Sequence, residues 1–351
     1  MIAIEVVSER SYEVKVDCDW LAELLPELIQ RAHVALVVSE KMSQSVRKLL
    51  PDQPNITLIE IQDGEDGKSI ESLDFLWSQF ADIGMTRNDL VIAVGGGATT
   101  DVAGFAASTW MRGIDWIAVP TTLAGMVDAS VGGKTGMNSP LGKNLIGAFH
   151  SPISVLIDLH WLSTLSDRDF SAGMAEVIKC GFIASPKILE IVSGPSLQEL
   201  RQSRDVTSQL IAESVRVKAS VVSADFKESF TREILNYGHT LGHAVERDSN
   251  YQIRHGEAVS IGMVFVAELA RARGLINDEL VSEHKRILES FGLPITYEKS
   301  ALPRLVKIMS LDKKNRGAGI RFVVLTGVGK TTRIDDVNDD EIFKAYERIS
   351  V

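Results

Sequence analysis

Cysteine is scarce in this chain, and its scarcity limits both the expected compartment and the expected chemistry. Cys18 and Cys180 are the only two cysteines among 351 residues, and no Cys-x-x-Cys pair occurs. Neither a disulfide framework nor a thiolate metal site is indicated, and a reducing cytoplasm is the expected location. The first residues, Met1 to Glu5, lack a basic segment followed by an apolar one, so no secretory signal is predicted.

An excess of positive charge is also missing. The 37 lysines and arginines are outnumbered by 47 acidic residues, for a formal net charge of −10. This balance disfavours nucleic acid and anionic membranes as partners, because both require a cationic face. The apolar run from Ala258 to Ala267 is too short to cross a bilayer. A small anionic substrate is compatible with the sequence if lysines and arginines converge locally.

The first half of the chain alternates short apolar segments with helical ones. The strand candidates are 34–38, 56–61, 90–94, 116–119 and 155–157, and the helical candidates are 41–50, 69–83 and 98–109. Several strands are so uniformly apolar that both faces must be covered. We therefore predict a Rossmann-like α/β domain over residues 1–165, with a mostly parallel sheet covered by helices and an edge hairpin from segments 2–7 and 12–16.

Beyond residue 166 the strand pattern almost disappears. Helical periodicity covers 169–184, 205–223, 231–248, 255–273 and 278–290, residues 338–349 indicate a closing helix, and only Arg321 to Leu325 is a convincing strand. We therefore predict a mainly helical second domain over residues 166–351. The whole chain then belongs to an α/β plus α class.

A glycine cluster follows the strongest predicted strand and opens a predicted helix. It consists of Gly95, Gly96, Gly97, Ala98, Thr99, Thr100 and Asp101. Glycine lets the backbone approach a ligand closely, and the free amides at a helix N-terminus favour phosphate. The spacing departs from the standard dinucleotide fingerprint, because Thr100 stands where a third glycine would be. We prefer phosphate binding, and the alternative is a tight strand-to-helix turn.

Two further segments are candidates for ligand contacts. The first follows another predicted strand, where acidic side chains can hold ribose hydroxyls, and comprises Asp63, Gly64, Glu65, Asp66, Gly67 and Lys68. Its alternative interpretation is a solvated charged turn. The second, Pro120 to Asn144, is long and glycine-rich and carries Lys134 and Lys143, which suit phosphate oxygens. We interpret it as a binding loop, and the alternative is a flexible surface connection.

Three of the seven histidines lie between residues 236 and 257. His239 and His243 are four residues apart, so on a helix they share a face, and His255 follows soon afterwards. Such a group can offer imidazoles to one metal ion or substrate. The alternative is a set of helix histidines that make ordinary hydrogen bonds.

The remaining charged candidates have simple explanations when each is taken singly. Glu176 and Lys179 are three residues apart on a predicted helix, which by default makes them an ion pair. Solvated surface charges are the default interpretation of Lys218, Arg232 and Lys314.

Taken in chain order, these motifs resemble the 3-dehydroquinate synthases, a family of sugar phosphate cyclases. The resemblance extends from about residue 34 to residue 327. Its motifs are Gly64-Glu65-x-x-Lys68, Gly95-Gly96-Gly97-x-x-x-Asp101, Pro120-Thr121-Thr122, Asp128 to Gly136, Lys143-Asn144-Leu145-Ile146-Gly147, Asn236 to Glu246 and His255-Gly256-Glu257. Each motif is weak alone, whereas the ordered set is specific.

The resemblance implies a divalent metal, zinc or cobalt, bound by Glu176, His239 and His255, and NAD in a cleft between the domains. The implied NAD contacts are Asp63, Gly64, Glu65, Asp66, Gly67, Lys68, Gly95, Gly96, Gly97, Ala98, Thr99, Thr100, Asp101, Thr121, Thr122, Lys134, Lys143, Trp161, Leu162, Ser163 and Thr164. The implied substrate contacts are Arg112, Asp128, Lys134, Asn144, Lys179, Lys218, Arg232, Asn236, His243 and Lys314.

The resemblance also implies a reaction and an assembly. In the family, 3-deoxy-D-arabino-heptulosonate 7-phosphate is oxidised by NAD, loses phosphate, is reduced by the same NADH and closes to 3-dehydroquinate. A homodimer is implied as well. Two local departures are Ser166 to Asp169, where Pro-x-Arg-Glu is commoner, and Asp225-Phe226, where two adjacent acids are frequent.

Three alternative functions stay open from the sequence. One is another sugar phosphate cyclase whose substrate lacks the carboxylate, although Arg232 and Asn236 favour the carboxylated substrate. The others are a metal-dependent polyol dehydrogenase and a nucleotide-binding regulatory module. The intact set of metal and lysine positions argues against the regulatory module, because binding alone needs neither.

Overall fold

The chain forms two compact units. The structure, a computed structural model, describes residues 1–51, 53–227, 231–316 and 320–351, and for residues 311–316 it describes the backbone alone. The first unit comprises Met1–Thr164 with Lys218–Lys227, and the second comprises Leu165–Val217 with Glu228–Val351. The segment from residue 218 thus folds with the first half of the chain, which the sequence pattern does not indicate.

The described residues of the first unit form nine strands. They are β1 (Ile2–Val6), β2 (Tyr12–Val16), β3 (Val34–Ser39), β4 (Ile56–Ile61), β5 (Leu90–Gly95), β6 (Asp115–Pro120), β7 (Lys134–Ser139), β8 (Gly142–Phe149) and β9 (Ser154–Ile157). Seven of them form one sheet in the order β1-β2-β9-β6-β5-β3-β4. Only β1 runs antiparallel, against β2, so the predictions of a mostly parallel sheet and an edge hairpin are confirmed.

Helices cover the sheet of the first unit, as predicted. They are α1 (Trp20–Gln30), which the sequence patterns missed, and α2 (Glu40–Leu49), α3 (Ile70–Asp82) and α4 (Gly97–Thr109). Every residue of β3 and β5 is buried, which explains their uniformly apolar sequences. Two helix starts are set by capping side chains: Asp19 accepts from the backbone amides of Leu21 and Ala22, and Ser69 accepts from that of Ser72.

The segment after Pro120 is more ordered than the predicted binding loop. It contains a short π-helix, Gly125–Ala129, and an antiparallel hairpin of β7 and β8. The glycines here permit close backbone packing: a Cβ added to Gly147 would lie 2.2 Å from the carbonyl oxygen of Thr135, and one added to Gly136 would lie 2.6 Å from that of Ile146. The alternative interpretation, a flexible surface connection, is therefore wrong where the chain has paired strands.

The second unit is mainly helical, as predicted. Its helices are α5 (Asp167–Ile183), α6 (Pro186–Val192), α7 (Leu197–Gln202), α8 (Arg204–Ala224), α9 (His239–Asp248), α10 (His255–Ala272), α11 (Asp278–Ser290), α12 (Leu302–Arg316) and α13 (Asp339–Glu347), of which α8 ends among residues of the first unit. The predicted strand at 321–325 is paired as a hairpin, β10 (Phe322–Gly327) with β11 (Lys330–Ile334). The sequence patterns missed β11, α6, α7 and α12.

The predicted helix over residues 231–248 is wrong in one respect. A short 3-10 helix, Thr231–Asn236, and α9 replace it, because Gly238 adopts a φ of +78° between them. A left-handed residue interrupts the helical hydrogen bonds, and glycine adopts that conformation without a Cβ clash. The break places His239 at the first position of a helix instead of in the middle of one.

Helix α10 forms the centre of the second unit. All of its residues from Gly256 to Ala270 are buried except Glu257, so the helix is packed on every side. A Cβ added to Gly256 would lie 1.7 Å from the carbonyl oxygen of Ala172, and one added to Gly262 would lie 1.9 Å from that of Gly238. Helix α10 thus approaches α5 and the start of α9 at backbone contact distance. In the described part of the chain no helix meets the length and hydropathy needed to span a membrane.

Candidate functional site

One carboxylate and two imidazoles converge in the second unit. Glu176 comes from α5, His239 from the first position of α9 and His255 from the first position of α10. The Nε2 atoms of His239 and His255 lie 3.6 and 3.4 Å from the same oxygen, Glu176 Oε1. Their potential ligand atoms all lie within 4.8 Å of one another. This is an oxygen-plus-two-nitrogen donor set of the kind that binds catalytic zinc.

The unsatisfied oxygen in this cluster tests whether a metal fits. Glu176 Oε1 is buried and forms no hydrogen bond of ordinary geometry with any residue that the structure describes. An orphaned buried carboxylate oxygen is costly, and a cation shared with the two Nε2 atoms would satisfy it. The donor set therefore fits a divalent metal.

Both histidines of the cluster are held through Nδ1. His239 Nδ1 lies 3.0 Å from the carbonyl oxygen of Tyr237, and His255 Nδ1 lies 3.1 Å from Glu246 Oε2. A carbonyl and an ionised carboxylate only accept, so in both rings Nδ1 is the donor. In the neutral ring this leaves the Nε2 lone pair available to a metal, the arrangement in which an outer partner sets the tautomer.

Charges around the cluster favour an ionised Glu176. Burial alone would raise the pKa of Glu176, but the Lys179 ammonium and the two histidines outweigh it and hold the pKa well below its usual range. Burial, together with Lys179, lowers the pKa of His239 far below that of a free imidazole. Burial also opposes charge on His255, but the nearby carboxylates of Glu176 and Glu246 raise its pKa to about 10.

Lys179 contacts the same carboxylate from inside the unit. Its Nζ donates to Glu176 Oε2, and both side chains are almost completely buried. The ion pair expected by default is therefore present, but it lies in the interior instead of on the surface. Because Lys179 occupies Oε2, Oε1 is the oxygen that faces His239 and His255.

His243 lies beside this cluster but does not belong to the group that His239 and His255 form with Glu176. Its ring centroid is 5.3 Å from that of His239 and 5.9 Å from that of His255, and the residue is exposed. A second possible ligand group consists of His243, Glu246 and His255. Since Glu246 already accepts from His255 Nδ1, we assign Glu246 the role of orienting that ring.

Three parallel strands of the first unit bring the other candidates to one sheet edge. Strands β4, β5 and β6 end near Lys68, Asp101 and Thr121, respectively. Lys68 is 2% exposed, its Nζ lies 2.7 Å from Asp101 Oδ2, and it also donates to Asn144 Oδ1. Burial raises the pKa of Asp101, opposed by Lys68. The interpretation of this segment as a wholly solvated turn is therefore wrong at Lys68.

The glycine cluster lies at the start of α4, as predicted. Gly95 ends β5, Gly96 is the residue before α4, and Gly97 begins the helix. A Cβ added to Gly97 would lie 2.8 Å from the Cβ of Ala129, so this position has no room for a side chain. Thr122 Oγ1 accepts from the Gly125 amide, which fixes the following turn at the same sheet edge.

The charged turn and the β7–β8 hairpin are linked by Glu65. Its carboxylate accepts from Asn138 Nδ2 at 2.6 Å and lies 3.8 Å from Lys143 Nζ. Asp63 and Asp66, in the same turn, are exposed. The charged turn and the segment from Pro120 to Asn144, which were predicted separately as ligand contacts, are therefore neighbours in the first unit.

Four of the predicted site residues are buried cations. Lys68, Lys179, Lys218 and Arg232 are the only lysines and arginines that are buried among the side chains the structure describes. Lys218 forms a 2.5 Å ion pair with Asp128, so its interpretation as a solvated charge is wrong, as it is for Arg232. Burying a cation is costly unless it has an anionic partner or a function.

The other predicted residues are spread more widely. Arg112 is exposed with a φ of +68°, Lys134 is exposed, and Asn236 is partly buried at the end of its 3-10 helix. Trp161 packs on Trp20 with ring centroids 5.9 Å apart, in the 3-10 helix Leu159–Thr164 that also contains Leu162 and Ser163. The side chain of Lys314 lies outside the described residues.

The sequence analysis assigned no role to Glu246, although Glu246 is the last residue of the motif Asn236 to Glu246. Nothing in the sequence indicated His284 as a site residue.

Two solved structures with this fold are sugar phosphate cyclases. A 2-epi-5-epi-valiolone synthase from Streptomyces hygroscopicus, with NAD+ and Zn2+ bound, is 26% identical with a TM-score of 0.90 and covers 99% of this chain and 98% of its own. A 2-deoxy-scyllo-inosose synthase complexed with carbaglucose-6-phosphate, NAD+ and Co2+ is 25% identical with a TM-score of 0.87 and covers 99% of both chains. The chain therefore has the two-domain fold of the sugar phosphate cyclases.

Sequence comparison then identifies the family within that class. Residues 58–172 match the family model of the 3-dehydroquinate synthase N-terminal region, and residues 173–315 match that of its C-terminal region. A 3-dehydroquinate synthase from Mycolicibacterium vanbaalenii is 47% identical over 99% of this chain and 98% of its own length. The chain belongs to the 3-dehydroquinate synthase family.

Proposed function

We propose that this protein converts 3-deoxy-D-arabino-heptulosonate 7-phosphate to 3-dehydroquinate and inorganic phosphate, the reaction of a 3-dehydroquinate synthase in aromatic amino acid biosynthesis. The observation that carries the proposal is the cluster of Glu176, His239 and His255, in a chain 47% identical to a relative of that name. We classify the enzyme as a carbon–oxygen lyase, because phosphate leaves by elimination while the product forms a ring.

The metal centre would be held by the three residues of that cluster. Zinc and cobalt are the proposed metals, in line with the neighbours that were crystallised with Zn2+ and Co2+. When bound, the metal would act as a Lewis acid that polarises a substrate hydroxyl. Lys179 keeps Glu176 ionised, and the Nδ1 partners keep both imidazoles oriented for Nε2 binding. His243, exposed beside the ligands, is placed to contact the substrate phosphate or to move a proton.

NAD would bind at the sheet edge of the first unit. When bound, it would accept a hydride from the substrate and return it later, so that no NAD is consumed. The free amides at the start of α4 and the absence of a side chain at Gly97 suit a diphosphate. Glu65, with two carboxylate oxygens in an exposed turn, suits ribose hydroxyls. Lys68, Asp101, Thr121, Thr122, Lys143 and residues 161–164 complete the proposed set.

The anionic substrate would be bound by the cations of this acidic chain. Lys134, Lys179, Lys218, Arg232 and Lys314 are the proposed cationic contacts, together with Arg112, and Asp128, Asn144, Asn236 and His243 are the proposed polar ones. Arg232 and Asn236 are assigned to the carboxylate, because a guanidinium and an amide can each donate to its oxygens. Asp128 pairs with Lys218 and fixes its position.

The proposed reaction is tested by product formation. With NAD, zinc and the heptulosonate phosphate, we expect phosphate release in equal amount to 3-dehydroquinate and no net accumulation of NADH. Chelator treatment with demonstrated loss of metal should stop phosphate release. Stoichiometric NADH would instead identify a polyol dehydrogenase, and turnover of sedoheptulose 7-phosphate but not of the heptulosonate would identify a different cyclase.

We also propose a homodimer and a cytoplasmic location. The dimer is supported by the family resemblance, and sedimentation or light scattering of the purified protein measures it. The location is supported by the two cysteines, which are both buried and form no disulfide among the described residues. Disulfides are rare in a reducing compartment.

A further inference from the structure

One buried histidine lies outside every motif described above. His284, on α11, is fully buried and contacts two elements that carry proposed metal ligands. Its ring stacks on that of Phe182 in α5, with centroids 3.5 Å apart and planes 8° apart. Its Nε2 lies 2.9 Å from the hydroxyl of Tyr237, in the turn that precedes α9.

The direction of each hydrogen bond follows from which atoms can donate. The Leu280 carbonyl only accepts, so His284 Nδ1, 2.7 Å away, is the donor. Burial lowers the pKa of His284 to about 4, and the ring is therefore neutral. Its Nε2 must then accept from the Tyr237 hydroxyl. The Tyr237 carbonyl in turn accepts from His239 Nδ1 at 3.0 Å.

Backbone hydrogen bonds from the Tyr237 amide to the Ile234 carbonyl and from the Gly242 amide to the Gly238 carbonyl hold the turn between Tyr237 and His239, and the tyrosine side chain is its further anchor. Gly238 stands between the two residues with a φ of +78°, and a Cβ added to it would lie 2.8 Å from the backbone nitrogen of Met263. No side chain at this position can therefore hold the turn. The Tyr237 ring is fully buried, and its hydroxyl ends on His284.

A role in packing alone would not require this polar pair. A buried neutral hydrogen bond contributes only about 1 kcal/mol net, and an apolar pair of similar shape is often equally stable. The hydrogen bond does, however, fix the position of Tyr237, and through its carbonyl the orientation of the His239 ring. Outer partners that orient metal-binding histidines typically change metal affinity by about 10- to 100-fold.

We propose that Tyr237 and His284 are positioning residues for the metal centre, which hold the turn that orients His239 toward the metal. The inference rests on the proposed function, because it requires the metal centre proposed there. It concerns affinity for the metal alone, so it can be tested without substrate or turnover.

The test measures zinc affinity of the full-length metal-free protein by competition with a chromogenic chelator. Tyr237→Phe removes the hydroxyl, and His284→Phe keeps a ring to stack on Phe182 while it removes the acceptor. We expect each variant to bind zinc about tenfold more weakly than the parent protein. The visible spectrum of the cobalt-loaded protein should change in both variants, because the geometry at His239 changes.

The double variant separates positioning from packing. In Tyr237→Phe with His284→Phe, no buried polar group is left unpaired, so the unfolding temperature of the metal-free protein should recover toward that of the parent. Zinc affinity should stay about tenfold lower, because the anchor is still missing. Recovery of both quantities together would overturn the proposal.

A matched control removes a tyrosine hydroxyl elsewhere in the same unit. Tyr346 in α13 is 1% exposed, and its hydroxyl donates to the carbonyl oxygen of Glu298 at 2.6 Å. Tyr346→Phe should leave zinc affinity and the cobalt spectrum unchanged. If the Tyr237 and His284 variants bind zinc as tightly as this control, the inference is wrong while the proposed function stands. A parent protein that binds no zinc would overturn the proposed metal centre itself.

Discussion

The two proposed ligand histidines are each oriented through Nδ1, but by different acceptors. His239 relies on a backbone carbonyl within its own turn, whereas His255 relies on the side chain of Glu246, nine residues earlier in sequence. A substitution can remove the second acceptor but not the first. The orientation of the His239 ring therefore depends on the contacts that fix the backbone at Tyr237.

The first prediction separates the metal ligands from their neighbour. Glu176→Gln and His255→Ala should abolish metal binding and activity, because each removes one of three donors. His243→Ala should retain the metal and lose activity only. Metal content of the purified variants by atomic emission checks this, and loss of metal from the His243 variant would contradict our assignment.

A second prediction at this scale concerns stability and pH. Asp89, 1% exposed, accepts from the His33 amide and from both the amide and the hydroxyl of Thr86. Burial would raise the pKa of Asp89, but these hydrogen bonds outweigh it and lower the pKa. Because the folded-state value is depressed, the stabilisation is present above the unfolded pKa of about 4 and is lost as the pH falls.

Asp89→Asn should therefore lower the free energy of unfolding by about 2 kcal/mol at neutral pH, the size of hydrogen bonds to a charged group. The difference from the parent should shrink as the pH is lowered below about 4. Urea unfolding at several pH values measures it. A difference that stays constant with pH would show that the carboxylate charge is not responsible.

At the scale of the element, α10 determines where the proposed metal ligands meet. It carries His255 at its first position, and Gly256 and Gly262 let it approach α5 and the start of α9 at backbone distance. The histidine motif thus includes a glycine for a packing reason. Without that close approach, Glu176 on α5 and His255 on α10 could not lie 3.4 Å apart.

The third prediction tests this close approach. Gly256→Ala should push α10 away from Ala172 and reduce zinc affinity at least tenfold, with a stability loss of about 2 kcal/mol from overpacking. Gly194→Ala is the matched control, because a Cβ added there meets no atom within 4 Å. Zinc titration and thermal unfolding of both variants give the result. Normal zinc affinity in the Gly256 variant would contradict the packing argument.

At the scale of the whole molecule, the two proposed ligands are assigned to different units. The proposed metal ligands belong to the second unit, and the glycine cluster with Lys68 and Asp101 belongs to the first. Among the side chains that the structure describes, four cations at predicted site positions are buried, divided between both units. The negative net charge therefore does not reveal these buried cations.

The fourth prediction follows from this division. Zinc alone should slow amide hydrogen exchange around Glu176, His239 and His255, and NAD alone should slow it around residues 65–68 and 95–101. Zinc at about 1,000 times its dissociation constant should also add about 4 kcal/mol to the stability of the binding unit. Glu176→Gln should abolish the zinc effect and preserve the NAD effect. Protection by NAD confined to the second unit would contradict the assignment.

The sequence by itself determined the helices and strands and the residue types available for binding and catalysis. Apolar runs such as β3 and β5 identify buried parallel strands, because covering both faces leaves no polar position. Helical periodicity located α11 to the residue. The ordered motifs indicated the family, which the comparisons confirm. These properties depend on neighbours in the chain, so the sequence displays them directly.

Only the tertiary structure decided which of the candidate site residues come together. Spacing on one helix pairs His239 with His243, but the packing of α5, α9 and α10 brings His239 and His255 to Glu176 instead. The glycine-rich segment forms a hairpin because its glycines face each other across strands. Nothing local to His284 indicates its contact with Tyr237, 47 residues away. Contacts between distant segments depend on packing of the whole core, which a periodic pattern does not encode.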